Sequence, residues 1–201
     1  QPSRHPSMNI THSELLTRLG AGESIESTCH AAGISRTEFD AWWRQQLDAR
    51  LPRPVQITTA ALQDEVVIER DARGIPHIYA DHDADLFYGF GFAMAQDRLF
   101  QLDYLRRKGT GRLAEILGPD GVPFDTIART VGLHRIAESE WQQLSHEVQT
   151  LLTAFTDGVN AVIDHSAQPP PIEFDLLGYR PEPWKPVDCL AIEAEFRWYL
   201  T

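Results

Sequence analysis

The sequence predicts an α+β chain in which a small helical module at residues 1–52 precedes a larger region at residues 62–201. Capping motifs and glycine breaks mark short helices in the first of these regions. A proline-flanked linker follows at residues 53–61. Beyond it the pattern changes to a β-hairpin and then to a long apolar helix, which is why two different units are expected.

The helical module is predicted to contain three short helices. Thr11 and Ser35 are each followed three residues later by a glutamate, a pattern in which each residue satisfies a backbone donor of the other. Residues 29–35 resemble the corner of a helix-turn-helix, with a glycine turn, an apolar residue and then a helix cap. The third helix carries large apolar residues at helical spacing, namely Phe39, Trp42, Trp43 and Leu47.

The larger region begins with a predicted β-hairpin. Residues 66–70 and 75–80 have the composition of strands, and residues 71–74 supply the turn between them. Pro76 has no backbone donor. The second strand is therefore expected at a sheet edge, or with Pro76 at a position where no ladder bond is needed.

Most of the remaining chain is predicted to be helical. The first long helix is apolar on all sides and contains several glycines, which predicts close approach of neighbouring backbones. The run Pro169-Pro170-Pro171 begins an extended excursion that continues to Pro183. The last helix has no stop signal before Thr201, so we expect further polypeptide. The predicted helices cover residues 83–108, 111–117, 138–165 and from about 186 onward.

Composition limits the class of function. The formal net charge is −11, which argues against a general polyanion-binding protein. No run approaches the roughly 18 apolar residues that a membrane helix needs, so no membrane partner is expected. Cys29 and Cys189 lie in different predicted regions, which favours free thiols over a disulfide.

Short motifs that often indicate catalysis or metal binding are incomplete or absent in this sequence. Asp81, Asp83 and Asp85 match the first acidic positions of an EF-hand loop, but Leu86 and Phe92 replace the glycine and glutamate that follow. There is no phosphate-binding loop, no His-Glu-x-x-His and no Cys-x-x-Cys. The residues alone therefore predict neither a catalytic centre nor a metal site.

The helix-turn-helix likeness raises the hypothesis of DNA binding. A recognition helix usually exposes basic residues, whereas Arg36, Arg44 and Arg50 are interspersed here with acidic residues. The opposing residues are Glu38, Asp40 and Asp48. We therefore favour a structural or docking role for this module over nucleic-acid binding.

A family resemblance rests on the sequence of the hairpin and of the first long helix. Residues 70–80 (Arg-Asp-Ala-Arg-Gly-Ile-Pro-His-Ile-Tyr-Ala) and residues 86–103 closely resemble the start of the α chain in the penicillin acylase family. Residues 111–115 (Gly-Arg-Leu-Ala-Glu) and 178–184 continue the resemblance, which spans about residues 62–201. The family includes penicillin, cephalosporin and acyl-homoserine-lactone acylases.

The resemblance implies a precursor that cuts itself into an α chain, a spacer and a longer β chain. Both chains would share the four-layer α-β-β-α sandwich of N-terminal-nucleophile hydrolases, and residues 1–52 would be a small three-helix appendage to it. The nucleophile of the family is the hydroxyl of the first β-chain residue, usually Ser, with its own α-amino group as the base. No catalytic residue is therefore expected on this chain.

The substrate contacts implied by the resemblance lie near the end of the last helix. Phe196 and Leu200 would form an apolar wall for an acyl group, Arg197 would cap a polar group, and Tyr199 would lie beside them. Packing of all four residues against the β chain is an equal alternative. The chemistry requires no cofactor, and a structural calcium ion is compatible with the family, although no ligand for it is assigned on this chain.

The polar residues of the resembling motifs are expected to be structural. Buried ion pairs and hydrogen bonds would fix the hairpin against the first long helix. These residues are Arg70, Asp71, His77, Gln96, Asp97, Arg98, Arg106 and Arg107.

The function implied by the resemblance is that of an amidohydrolase subunit. The complete enzyme would cleave the acyl amide of penicillin-like, cephalosporin-like or N-acyl-homoserine-lactone substrates through an acyl-enzyme. The alternative hypothesis is a non-catalytic interaction or DNA-binding module at residues 1–52 attached to a degenerate acylase fragment. The resemblance favours a periplasmic or secreted location, whereas Met8 as the native start would indicate the cytoplasm.

Overall fold

The computed structural model describes residues 8–57, 59, 62–165 and 168–201. Residues 1–7 of the predicted helical module, and residues 58, 60 and 61 of the predicted linker, lie outside the described part. The chain divides into two units, of which the first comprises residues 8–51 and 168–180. The second unit comprises the other described residues and is the larger of the two.

The described residues form a mixed, mainly helical structure with a small sheet. In chain order the elements are α1 (His12–Gly20), α2 (Ile25–Ala32), α3 (Arg36–Asp48), β1 (Val55–Ile57), β2 (Val66–Arg70), β3 (Pro76–Tyr79), α4 (Asp83–Thr110), α5 (Ala114–Leu117), a 3-10 helix (Gly118–Gly121), α6 (Val122–Val131), α7 (Leu133–Gln143), α8 (His146–His165), α9 (Ile172–Leu177) and α10 (Pro186–Tyr199).

Side-chain caps fix the helix starts of the first unit. The hydroxyl of Ser35 accepts from the backbone N–H of Glu38, and the Glu38 carboxylate accepts in return from the backbone N–H of Ser35. This is the predicted capping box at the start of α3. The Thr11 hydroxyl likewise accepts from the backbone of Glu14 at the start of α1. Between α2 and α3 the chain turns at Gly33, whose φ of 70° suits a residue without a side chain.

The core of the first unit includes a segment that is remote in sequence. Ile172 of α9 is buried together with residues from α1, α2 and α3 and their connections, namely Leu15, Leu16, Cys29, Ala32, Ile34, Phe39 and Trp42. Arg50 donates to Asp175 at 2.7 Å and to the carbonyl of Pro170 at 2.9 Å. The sequence predicted an extended excursion here and missed α9, because a helix of six residues between prolines has too short a pattern to recognise.

The sheet of the larger unit is antiparallel, with the strand order β1-β2-β3. The predicted hairpin is formed by β2 and β3, and Pro76 is the first residue of an edge strand, as its missing donor requires. Strand β1 was not predicted. Its three residues, Val55–Ile57, lie in the predicted linker directly after Pro52 and Pro54, and they are too few to show a strand pattern before they pair with β2.

Helix α4 packs very closely against α8. A Cβ atom on Gly91 of α4 would lie 2.0 Å from the carbonyl oxygen of Phe155, and one on Gly158 of α8 would lie 2.0 Å from that of Tyr88. The prediction that the α4 glycines permit close backbone approach is therefore confirmed. The helix is kinked at Arg98, where φ is −140° and ψ is 20°. Neither α4 nor any other helix of the described residues has the length and apolar character to cross a bilayer.

The chain between α4 and α10 contains more breaks than the sequence indicated. The predicted helix at residues 138–165 is two helices, because Leu144 adopts an extended conformation with ψ of 147°. Ser145 then accepts from the backbone N–H of Val148 at 3.4 Å, which favours a new helix start. Helix α6 was missed altogether, and its proline lies in the first turn, where a missing donor is tolerated.

Candidate functional site

The four predicted substrate-contact residues lie at the C-terminal end of α10. Phe196 is 58% exposed and Tyr199 is 75% exposed, while Leu200, the residue that caps the helix, is 66% exposed. Positions 196, 199 and 200 share one side of a helix because they are three and four residues apart. These three side chains therefore form an apolar surface, which we call the α10 apolar surface.

Arg197 is already engaged by two carboxylates. Its guanidinium donates to Glu140 of α7 at 2.6 Å and forms an ion pair with Glu193 at 2.8 Å. The hydrogen bond with Glu140 is the main cause of a pKa raised above the usual arginine value. A substrate group that binds Arg197 would therefore have to compete with these two partners.

A small apolar cavity of about 270 Å³ lies beside Arg197, on another side of α10. Trp198 contributes to its wall, although the sequence analysis did not select that residue. The structure thus brings Arg197 into the cavity lining but leaves Phe196, Tyr199 and Leu200 outside it. The remaining lining residues are Val131, Leu133, Ile136, Ala194 and Thr201.

Lys108 links α4 to the last turns of α10. Its ammonium group lies 2.5 Å from a carboxylate oxygen of Glu195 and 5.8 Å from the ring centroid of Tyr199. The second distance is within the range of a cation–π contact. The position of the α10 apolar surface is therefore fixed from the side of α4.

Arg70 connects the hairpin to the first long helix. Its side chain is 7% exposed and reaches from β2 to α4, where it binds Asp97 at 2.9 Å and Gln96 at 3.1 Å. It also donates to the carbonyl of Gly74 in the hairpin turn at 2.9 Å. One guanidinium group therefore fixes the hairpin against the long helix, as the sequence analysis predicted.

Asp103 is the centre of a buried ionic cluster. Its carboxylate is 1% exposed and accepts from Arg106 and, at 2.8 Å, from Arg107. Arg106 extends the cluster to the carbonyl of Pro183 at 3.1 Å and to Asp188 at 3.5 Å. The contacts of Arg106 therefore connect α4 to the segment before α10 and to the first turn of α10, and Arg107 also binds Glu115 of α5 at 2.5 Å. These contacts differ from the predicted ones between the hairpin and the long helix.

Arg112 forms the outer part of this cluster. It donates to Glu115 at 2.8 Å and to Glu182 at 3.0 Å. These hydrogen bonds are the main cause of a lowered pKa for both glutamates. Between the lowered pKa of these glutamates and the ordinary glutamate pKa, the folded state therefore binds fewer protons than the unfolded state. The free energy of unfolding rises with pH over that range.

We expect Glu182→Gln to reduce the acid sensitivity of the protein. The Glu182 contribution is complete above the ordinary glutamate pKa of about 4.3 and is lost as pH falls through its lowered folded value. Urea denaturation between about pH 3 and pH 6 should show a shallower loss of unfolding free energy in the variant. Glu147→Gln is the matched control, and an equal change in both variants would contradict the assignment.

Acidic residues near the hairpin are engaged in backbone contacts and in pairs with histidines. Asp85 is buried and accepts from the backbone N–H groups of Gln63 at 3.0 Å and Asp64 at 2.9 Å. Asp64 lies 3.0 Å from His82. Within the part of the chain that the structure describes, no group of three or more His, Cys, Asp or Glu side chains is arranged to hold a metal ion.

Both cysteines are free thiols, as the sequence analysis predicted. Burial raises the pKa of Cys189 to about 11, although a hydrogen bond from Trp184 opposes this rise. Burial also raises the pKa of Cys29. A thiol is a nucleophile as its thiolate, so neither group is activated for catalysis at neutral pH.

The larger unit matches a known family. The family model described as "Penicillin amidase" matches residues 65–201. The relatives include the penicillin acylase 2 proenzyme of Pseudomonas sp. strain SE83, with 40% identity over 151 residues, which are 74% of this chain and 19% of the relative. The acyl-homoserine lactone acylase QuiP of Pseudomonas aeruginosa is 36% identical over 184 residues, 89% of this chain and 21% of that protein.

A solved structure supports the same assignment. The thermostable penicillin G acylase from Alcaligenes faecalis matches with a TM-score of 0.61 and 30% identity, over 73% of this chain and 76% of that chain. The acylases are amidohydrolases, and this chain belongs to the penicillin amidase family. It spans about a fifth of the length of the curated relatives described above.

Proposed function

We propose that this chain is the α subunit of a self-processing amidohydrolase. The complete enzyme cleaves the acyl amide of penicillin-like, cephalosporin-like or N-acyl-homoserine-lactone substrates. The family match over residues 65–201 carries the proposal, and relatives named as a penicillin acylase and as an acyl-homoserine lactone acylase support an acyl amide as the substrate class. The acyl group itself is left open among these classes.

The proposed chemistry is acyl transfer to the N-terminal Ser of a separate β chain. The serine hydroxyl attacks the amide carbonyl while the free α-amino group accepts its proton, and the amine leaves with a proton. Water then hydrolyses the ester in the same way. This chain supplies no nucleophile to that sequence, and the reaction requires no cofactor. A structural calcium ion is compatible with the family, and no ligand for it is assigned on this chain.

The role proposed for this chain is to shape the acyl-binding site and to support the β chain in a four-layer sandwich. The α10 apolar surface is suited to an acyl chain or to an aryl ring, because its large side chains are exposed on one side of a helix. The helical module is proposed to be an appendage of the acylase. The QuiP match covers 89% of the chain, so it includes part of the sequence before residue 65.

The proposed partners are the β chain and a small acyl amide, in the periplasm or outside the cell. DNA is not proposed as a partner. In the helix-turn-helix segment, Arg36 forms an ion pair with Asp40 at 2.8 Å, and Arg50 is bound to Asp175. These pairs reduce the positive charge available to a phosphate backbone.

Intact-mass analysis and N-terminal sequencing of the purified native protein test the proposal. We expect two chains, of which the larger begins with Ser. We also expect the purified protein to hydrolyse acyl amides. Replacing that Ser by Ala should leave an uncleaved, inactive precursor. A single stable chain without amidase activity would overturn the proposal and would favour an interaction role for residues 1–52.

We expect Phe196→Ala to lower kcat/KM for acyl substrates by about tenfold, mainly through KM. Removing one large apolar contact costs about 1.5 kcal/mol, which corresponds to roughly that factor. Phe124→Ala is the control, because Phe124 is an aromatic residue of α6 that is 47% exposed. If Phe196 instead packs against the β chain, KM will stay constant and the yield of assembled enzyme will fall.

A further inference from the structure

A second and larger cavity lies in the larger unit, away from the α10 apolar surface. It measures about 580 Å³ and is formed by the end of α4, by the turn between α6 and α7 and by the segment that leads into α10. We call it the cationic cleft. Its positively charged lining residues are Arg106, Arg112, Arg129, Arg135 and Lys185.

Two of these cations are already balanced by carboxylates. Arg106 is bound to Asp103 and Asp188, and Arg112 is bound to Glu115 and Glu182. Arg106, which is 3% exposed, contributes a buried wall of the cleft. The Nε–H group of Arg106 is also buried and has no acceptor among the described residues. One donor of this wall therefore remains unsatisfied, which is unfavourable.

The other three cations form no ion pair within the residues that the structure describes. Arg129 donates through its Nε to the carbonyl of Gly111 at 2.8 Å, which fixes the guanidinium while its two terminal nitrogens are left for another acceptor. Arg135 and Lys185 complete the group. The cleft has one further acidic residue, Glu138, which lies 3.6 Å from His134.

The turn between α6 and α7 places the guanidinium group of Arg135 beside the backbone of Gly132. Gly132 has a φ of 80°, and a Cβ atom at this position would lie 2.6 Å from the terminal nitrogen Nη2 of Arg135. Glycine therefore allows both the turn and the position of the guanidinium. The position of Arg135 in the cleft therefore depends on this backbone geometry.

We propose that the cationic cleft binds a small oxyanion with at least two negative charges, held by Arg129, Arg135 and Lys185. Planar guanidinium groups donate pairs of hydrogen bonds that match phosphate and carboxylate oxygens, and a lysine adds a point charge. Three unpaired cations in one cleft are not a consequence of overall composition, because the chain has a formal net charge of −11. This proposal goes beyond the proposed acyl-amide chemistry and does not rest on it.

Isothermal titration calorimetry of the full-length protein with inorganic phosphate, at constant ionic strength, tests this proposal. We expect saturable binding with a dissociation constant of about 1 mM or tighter, and at least a tenfold loss of affinity in Arg135→Gln and in Arg129→Gln. Arg36→Gln removes the same charge from an exposed position in the other unit and should leave phosphate affinity unchanged. Circular dichroism verifies that each variant is folded.

Three results would overturn the proposal. The first is a wild-type protein that binds phosphate no better than chloride, which is also expected if a carboxylate from the rest of the protein fills the cleft. The second is equal loss in Arg36→Gln and Arg135→Gln, which would indicate a general charge effect. The third is unchanged affinity in both cleft variants. Each readout is binding, so the outcome is independent of whether the protein is an active amidase.

Discussion

Asp103→Asn is expected to lower the free energy of unfolding by about 3–5 kcal/mol, because it leaves two buried guanidinium groups without their shared counter-charge. Arg106 and Arg107 have side chains that are each 4% exposed, so water cannot replace the carboxylate. Asparagine keeps the shape and one acceptor but removes the charge. Chemical denaturation of the full-length protein, followed by tryptophan fluorescence, measures this change.

Asp40→Asn is the control for this prediction. Asp40 also forms an i,i+4 ion pair, with Arg36, but the two side chains are 42% and 67% exposed. Such a pair contributes at most about 1 kcal/mol, because solvent screens both charges. If Asp103→Asn costs no more than Asp40→Asn, the buried cluster is not the stabilising contact that its burial indicates.

Gly91→Ala is expected to destabilise the protein by about 2 kcal/mol or more. In a helix, alanine is favoured over glycine by about 1 kcal/mol. Whether the substitution raises or lowers the free energy of unfolding therefore depends on packing. The new methyl group would lie 2.0 Å from the carbonyl oxygen of Phe155, and backbone does not yield as a side chain does. Overpacking of this kind typically costs 1–3 kcal/mol and more where rigid elements must separate. Thermal unfolding compares the variant with the wild type.

Gly22→Ala separates this clash from the general effect of replacing glycine. Gly22 has a φ of 83° and no atom within 4 Å of an added Cβ, so only backbone strain of about 1 kcal/mol is expected. The double variant Gly91→Ala/Gly158→Ala should cost less than the sum of the two single changes. Once one methyl group has separated α4 from α8, the second finds space. Strict additivity would contradict a shared contact.

Much of the fold was visible in the sequence because local chemistry dictates it. The hairpin at β2 and β3 follows from strand patterns around a turn, and the Ser35 box fixes the start of α3. Strand β1 was not predicted, since three residues after a proline-rich segment acquire their conformation by pairing with β2. The break before α8 was missed for a related reason, because one extended residue interrupts an apolar pattern that continues across it.

The candidate site was less predictable than the fold. An ion pair between the hairpin and the first long helix was anticipated, because Arg70 and Asp97 are charged residues of two resembling segments that were expected to pack together. The engagement of Arg197 by Glu140 was not, since these residues are 57 positions apart and neither motif points to the other. Trp198 was passed over because its role depends on which side of α10 faces the apolar cavity. Catalytic groups could not be derived at all, because the resemblance places them on another chain.

The contacts of Arg106 also affect the order in which the protein is made. Its acceptors on Glu182, Pro183 and Asp188 follow it by 76 to 82 residues, so most of this chain must be synthesised before they exist. Chains emerge from the ribosome at roughly 5–20 residues per second, which corresponds to a delay of several seconds. During that interval the guanidinium must stay hydrated or bind Asp103 alone. The C-terminal half of α4 can therefore reach its native, buried state only after the segment that leads into α10 has been translated.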